Sequence, residues 1–180
     1  MTAAETKQAL RTQLRAIRDT MASTPPFAPP APFLARLRPC TVATYRPIGG
    51  EVDPGPFDVG ALAAGVRLAL PLVIDRATPL RFLLVQPGEP LEPGPFGLLN
   101  PPTHWPDVRP DVILTPLVGF DRQGNRLGQG AGHYDRAFAE HPDAWRVGLA
   151  WSVQEVEALQ PDAWDMPLHA IATDKEWIEP

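Results

Sequence analysis

Twenty-four of the 180 residues are proline, and they are unevenly spread. Several cluster between Pro25 and Pro39, and more between Pro87 and Pro110. Proline lacks a backbone N–H and fixes φ, so both stretches read as excluded from regular helix and from central strand. They are expected to be stiff, extended connections over the surface. Regular structure is then confined to the segments between them.

Those segments alternate between two periodicities. Residues 3–22 read as a helix, with Leu10, Leu14, Ile17 and Met21 in one apolar stripe and with Thr2 and Glu5 at capping-box spacing. Residues 41–46 read as a short strand before a turn at Gly49-Gly50, and 57–65 as a short helix. Strands are expected at 66–73 and 80–85, with 75–78 as the turn between them. Residues 111–118 are mostly apolar and β-branched, as in a buried parallel strand. A helix at 133–140 and a strand at 146–151 follow. Ser152 and Glu155 repeat the capping-box spacing and open a short helix, and 168–173 is a last strand. Strands alternating with helices predict an α/β fold: a single three-layer α/β/α domain over 1–180 with a mostly parallel, Rossmann-like open sheet. The 44% hydrophobic content suits one full core.

Charge and cysteine usage narrow the partners. The formal net charge is −5, so nucleic acid is not expected as main partner. Cys40 is the single cysteine, which excludes an internal disulfide and a cysteine-rich zinc site. No apolar run is long enough to span a membrane, and the N-terminus lacks a signal peptide's apolar core. A soluble, cytoplasmic protein is expected, as a monomer or weak homodimer.

The strand at 111–118 leads into the most informative stretch, Phe120 to Arg136. Gly128, Gly130 and Gly132 alternate, with Arg126 before them and Tyr134 and Asp135 after. Alternate glycines let the backbone reach φ > 0 and approach a ligand, and their N–H groups can face an anion. Arginine supplies charge for phosphate, and aspartate can hold a cation that phosphate shares. The segment would lie at the carboxyl end of a parallel strand and at a helix N-terminus, both favourable places for phosphate. It is neither a P-loop nor the G-x-G-x-x-G fingerprint. Without its flanking residues, such a spacing is as often a tight turn.

The run from Asp121 to Asp135, Asp-x-x-Gly-x-Arg-Leu-Gly-x-Gly-x-Gly-x-Tyr-Asp, resembles the hallmark of the 5-formyltetrahydrofolate cyclo-ligases, also called 5,10-methenyltetrahydrofolate synthetases. The resemblance continues along the chain in order. Lys7 to Arg11 is similar to the family's basic N-terminal helix, and Tyr45 to Asp53 to its substrate-side turn. Leu70-Pro71, Gly97 to Pro101, Asp165 and Thr173 fall where the family has matching residues.

The resemblance implies an ATP- and Mg²⁺-dependent closure of 5-formyltetrahydrofolate, with or without a polyglutamate tail, to 5,10-methenyltetrahydrofolate. It implies that Lys7, Arg11, Arg126, Leu127, Gly128, Gln129, Gly130, Ala131, Gly132, His133 and Tyr134 bind the nucleotide. Arg126 and Tyr134 are the expected catalytic residues, and Asp135 and Asp165 the metal ligands. Arg46, Glu51, Phe96, Asn100 and His133 would line the folate side. Arg15 and Arg18 share the basic stripe with Lys7 and Arg11 but are expected to be solvated surface. Several residues keep a plain structural alternative: Phe96 a core phenylalanine, Asp135 a helix N-terminal acid, Asp165 a turn cap. The sequence departs from the pattern at His133, where many relatives have tyrosine, and at Asn100, where they often have glutamate or glutamine. Two other readings stay open: a paralogue of the same fold in, for example, thiamine-related metabolism, and a non-catalytic nucleotide-binding module.

Overall fold

The protein was analysed as a computed structural model that describes residues 3–180. A seven-stranded sheet forms its centre. The chain enters through α1 (Ala3–Asp19) and α2 (Ala31–Arg36), then β1 (Thr41–Ala43), α3 (Gly55–Ala63), β2 (Arg67–Leu72) and β3 (Arg81–Leu84). A small two-stranded unit follows, β4 (Glu92–Pro93) and β5 (Leu99–Asn100), joined by a 3₁₀ turn at Pro95–Gly97. After β6 (Val112–Pro116) comes the hairpin β7 (Gly119–Phe120) and β8 (Arg126–Leu127), then α4 (His133–Glu140). The strands β9 (Trp145–Leu149), β10 (Ala170–Ala172) and β11 (Trp177–Ile178) complete the chain.

The strand order is β11-β10-β9-β6-β1-β2-β3. The five interior strands run parallel, and β3 and β11 close the two edges antiparallel. Alternate side chains of one strand serve opposite faces. Val42, Val112, Leu114, Val147 and Leu149 pack with Phe33 of α2 and Phe57 and Ala61 of α3. Ala43, Ala69, Ile113 and Ile171 pack on the other face with Ala137 and Phe138 of α4. The result is the expected three-layer α/β/α arrangement with a largely parallel sheet.

α1 belongs to neither face. Its stripe of Leu10, Leu14 and Ile17 sits on Val118, Leu127, Val156 and Leu159, beyond the carboxyl ends of the strands. This placement turns the other side of the helix toward the ligand end of the sheet.

Four sequence expectations need correction. The stretch 25–39 does contain a helix, α2. Pro30 caps it and Pro32 lies in its first turn, where no intrahelical N–H is required, so proline is tolerated there. Its Phe33 is fully buried. The strand 111–118 does not lead directly into the glycine loop either, because the β7–β8 hairpin intervenes. The buried Asp121 carboxylate organises its turn, accepting from the N–H groups of Gln123, Asn125 and Leu159 at 3.0, 3.0 and 2.8 Å. The first helix ends at Asp19, short of residue 22, and the short helix after Ser152 is one 3₁₀ turn. The capping position at Thr2 lies outside the described residues.

Candidate active site

The carboxyl ends of β1, β2 and β6 open into a cavity of about 590 Å³. Every residue singled out in the sequence lines it: Lys7, Arg11, Arg46, Glu51, Phe96, Asn100, the run Arg126 to Asp135, and Asp165. The sheet end supplies the floor with Tyr45, Leu70, Thr115 and Pro116. No helix of the described residues is long and apolar enough to cross a membrane.

One wall is the glycine loop. Gly130 has φ 100° and Gly132 φ 68°, a left-handed region that side chains with a Cβ rarely adopt. Gly132 stands directly before α4, so the loop delivers free N–H groups to the cavity at a helix start. Arg126, at the foot of the loop, has a side chain only 5% exposed. Its guanidinium lies 4.9 Å from the centre of the Phe138 ring and pairs with Asp135. Burial pulls the Arg126 pKa down, and Asp135, Asp165 and Tyr134 push it back up. Burial likewise raises Asp135, which Arg126 lowers and the Asp165 charge raises further.

Asp135 and Asp165 therefore face the same space. Asp165 also accepts from the Asp162 N–H at 2.8 Å and lies 3.7 Å from the Lys7 ammonium. Among the described residues no cluster of three or more His, Cys, Asp or Glu side chains could hold a metal. Two carboxylates beside the glycine loop would suit Mg²⁺, which keeps waters and shares phosphate oxygens rather than filling an all-protein cage. Arg126 is the present counter-ion of Asp135 and would have to yield it to such a cation.

The adjoining wall is α1. Lys7 bonds Asp162 at 2.6 Å, Arg11 Nε donates to the Gly128 carbonyl at 2.9 Å, and Arg15 Nε to Gln129 Oε1 at 2.9 Å. Arg18 is buried and pairs with Glu51 at 3.3 Å. Arg15 and Arg18 are thus not the solvated face expected of them. The stripe continues inward because the docking of α1 turns it toward the loop. The sequence signal was the 4, 4 and 3 residue spacing that puts Arg15 and Arg18 on one helix face with Lys7 and Arg11.

The remaining wall comes from the loops after β1, β2 and β4. Glu51 is held at the Gly49-Gly50 turn, with Oε2 accepting from the Ile48 N–H at 3.0 Å. Burial raises its pKa, while the Ile48 N–H, Arg18 and Gln129 lower it. Arg46 pairs with Asp58 at 3.2 Å. Phe96 is 56% exposed, so it is not a core residue. It is the one non-glycine at positive φ among the described residues, at 60°, and the Arg76 guanidinium lies 5.5 Å from its ring. Asn100 uses both ends of its amide on the backbone of Val73, at 3.1 and 2.8 Å. It lines the cavity but spends its polarity on the fold. His133 is 3.4 Å from Arg136, and its pKa falls through burial first and then through Arg136 and Arg76. Burial and the Glu51 charge push the Tyr134 phenol well up, so it stays protonated at neutral pH. Trp164, 70% exposed beside the acidic pair, and Arg76 at the rim were not foreseen, since neither stands in a recognisable motif.

Comparison with known proteins gives a consistent result. Residues 3–174 match the 5-formyltetrahydrofolate cyclo-ligase family. The chain is 38% identical to a 5-formyltetrahydrofolate cyclo-ligase of Escherichia coli over 145 residues, 76% of this chain and 80% of that one. It is 32% identical to the enzyme of that name from Mycoplasma pneumoniae over 142 residues, 77% and 76% of the two chains. Among solved structures it resembles an Aquifex aeolicus 5,10-methenyltetrahydrofolate synthetase with TM-score 0.71 and 28% identity, covering 99% of this chain and 93% of that one. A Mycoplasma pneumoniae 5,10-methenyltetrahydrofolate synthetase aligns with TM-score 0.62 and 26% identity, over 92% and 96% of the chains. The chain belongs to the 5-formyltetrahydrofolate cyclo-ligase family.

Proposed function

We propose that this protein, acting as one catalytic domain, converts 5-formyltetrahydrofolate and ATP into 5,10-methenyltetrahydrofolate, ADP and phosphate. The observation that carries the reading is that the glycine loop with Arg126 and the turn bearing Glu51 face one cavity. A nucleotide half and a folate half then meet over the sheet end.

The chemistry asks for an activated formyl group. A formamide carbon is a poor electrophile because nitrogen donates into the carbonyl. The formyl oxygen attacks the γ-phosphorus and ADP leaves, so the oxygen becomes part of a leaving group. N10 then attacks the iminium-like carbon, loses its proton, and phosphate departs with the former formyl oxygen. Such a transfer depends mainly on alignment and charge neutralisation.

The residues divide this work. The N–H groups between Gly128 and Gly132 cradle the triphosphate, and Lys7 and Arg11 hold it from α1. Arg126, nearly buried and stacked on Phe138, meets the charge that moves in transfer where little water screens it. Asp135 and Asp165 would hold Mg²⁺, which would supply charge neutralisation for the phosphates. Glu51 accepts hydrogen bonds from pterin N–H groups, and Phe96 offers its exposed ring to the flat part of the folate. Tyr134, neutral at pH 7, donates from the loop's end toward the reacting groups.

The test is direct. Purified protein with 5-formyltetrahydrofolate, ATP and Mg²⁺ should give the ultraviolet absorbance of methenyltetrahydrofolate, with ADP and phosphate in equal amounts. Absence of product from pH 5 to 8 would reject the reading.

A further inference from the structure

Glu51 is held from two sides at one oxygen. Arg18 Nη1 donates to Glu51 Oε1 at 3.3 Å, and Gln129 Nε2 donates to the same atom at 3.2 Å. Gln129 is in turn fixed by Arg15 Nε at 2.9 Å. Arg15, Gln129, Glu51 and Arg18 thus form one chain that begins and ends on α1 and passes through the glycine loop and the folate-side turn. The Arg18 and Glu51 side chains are 6% and 4% exposed, so this pair is sheltered from water, unlike an ordinary surface ion pair.

The backbone is shaped to the same contact. A Cβ on Gly50 would come 2.7 Å from the Arg18 carbonyl oxygen and 3.0 Å from the Asp19 Cα. Only glycine lets the turn approach the end of α1 this closely. The Trp151 indole N–H fixes the other side of the turn by donating to the Gly50 carbonyl at 2.9 Å. The ionisable groups that face Glu51 are Arg18 from α1, Tyr45 after β1 and Tyr134 from α4. Arg18 is the single cation among them.

We propose that Arg18 is a positioning residue for the folate side of the site: with Gln129 it holds the Glu51 carboxylate ionised and aimed into the cavity, so that one helix sets both the glycine loop and the folate carboxylate. This rests on the functional reading given above. Arg18 does not line the cavity, so it acts through Glu51 and Gln129 and not on the substrate. A Glu51 without Arg18 would be buried beside two phenols with no cation. It would take up a proton at higher pH and present a donor where an acceptor is needed.

The test compares wild type with Arg18→Met, Arg18→Lys and Glu51→Gln, reading calorimetric binding of 5-formyltetrahydrofolate across pH beside the two KM values. In Arg18→Met the folate Kd and KM should rise roughly tenfold or more, as expected for loss of a buried charged partner. The KM for ATP should stay within about twofold, and Arg18→Lys should recover most of the loss. The acid limb of folate binding should move to higher pH in Arg18→Met and vanish in Glu51→Gln. An unchanged folate KM in Arg18→Met, or equal rises for folate and ATP, would overturn the proposal. Should Arg18→Met not fold, Arg18→Lys decides: a raised folate KM with unchanged ATP KM supports the role, and wild-type values for both refute it. A wild-type protein that binds the folate without making product rejects the ligase reading and leaves the binding series to judge Arg18. No folate binding at all overturns both.

Discussion

Asn100 grips Val73 by both ends of one amide: its Oδ1 accepts from the Val73 N–H at 3.1 Å and its Nδ2 donates to the Val73 carbonyl at 2.8 Å. The two-stranded unit that carries Phe96 is thereby pinned to the end of β2. Asn100, which the family resemblance places on the folate side, is in this structure also a clamp for the loop that carries Phe96.

Replacing Asn100 by alanine would leave two buried backbone groups without partners. The expected loss is about 1–3 kcal/mol of stability, read as a lower midpoint in urea denaturation. Asn100→Asp keeps the acceptor but turns a carboxylate toward a carbonyl, and should fall at least as far. A normal midpoint combined with a raised folate KM would return Asn100 to direct substrate contact.

Arg126→Ala should lower kcat by roughly 10²–10³, the range for losing one preorganised charge-stabilising group, while folate binding changes by less than about threefold. Arg126→Lys should recover little, because lysine cannot both pair with Asp135 and lie flat on Phe138. The check is steady-state kinetics beside calorimetric folate binding; wild-type kcat in the alanine variant removes Arg126 from the transfer step.

Phe96 allows stability and binding to be separated. Its φ of 60° is unfavourable for a residue with a Cβ by about 1–2 kcal/mol. Phe96→Gly relieves that strain and removes an exposed ring, so the melting temperature should not fall, whereas the folate KM should rise. Phe96→Ala keeps the strain and loses the ring, and should be the less stable of the two. A lower melting temperature for Phe96→Gly than for Phe96→Ala would contradict this.

Acid should weaken the fold through its histidines. Burial is the first cause of the lowered pKa at His133, His141 and His169, each aided by a neighbouring arginine. With folded values below the unfolded value of about 6.5, the unfolded chain binds more protons, so stability rises with pH in that range. Stability is expected to be intact above about pH 6.5 and to decline as pH falls below it, continuing down through the folded values. Denaturation midpoints at pH 7.5, 6.5 and 5.5 test this. In His133→Tyr the decline should be shallower, and an identical slope would show that His133 does not contribute.

Much of this was readable beforehand, for identifiable reasons. β6 announces itself through an apolar, β-branched run, and the glycine loop through residues whose backbone needs leave few substitutes. The candidate site residues could be named from the motif, and the structure gathers them at one sheet end. α2 was hidden because proline was read as a breaker without regard to its first-turn tolerance. β4, β5, β7, β8 and β11 are two residues long each, too short for any period to register. Arg18 was invisible for a different reason. A stripe of arginines on a helix looks the same whether it faces water or a buried glutamate, and only the docking of Leu14 onto Val118 and Leu127 decides which.

The position of α1 has a final consequence. The helix sits outside both sheet layers, yet it brings Lys7, Arg11 and Arg15 to the cavity and Arg18 to Glu51. A peripheral helix docked by one apolar stripe is expected to open before the central strands β6 and β9. Amide exchange along residues 5–19 would then report the working lifetime of the assembled site, and bound triphosphate, spanning helix and loop, would lengthen it. The docking of one peripheral helix, and not the sheet, is then expected to set how long the two halves of the cavity stay together.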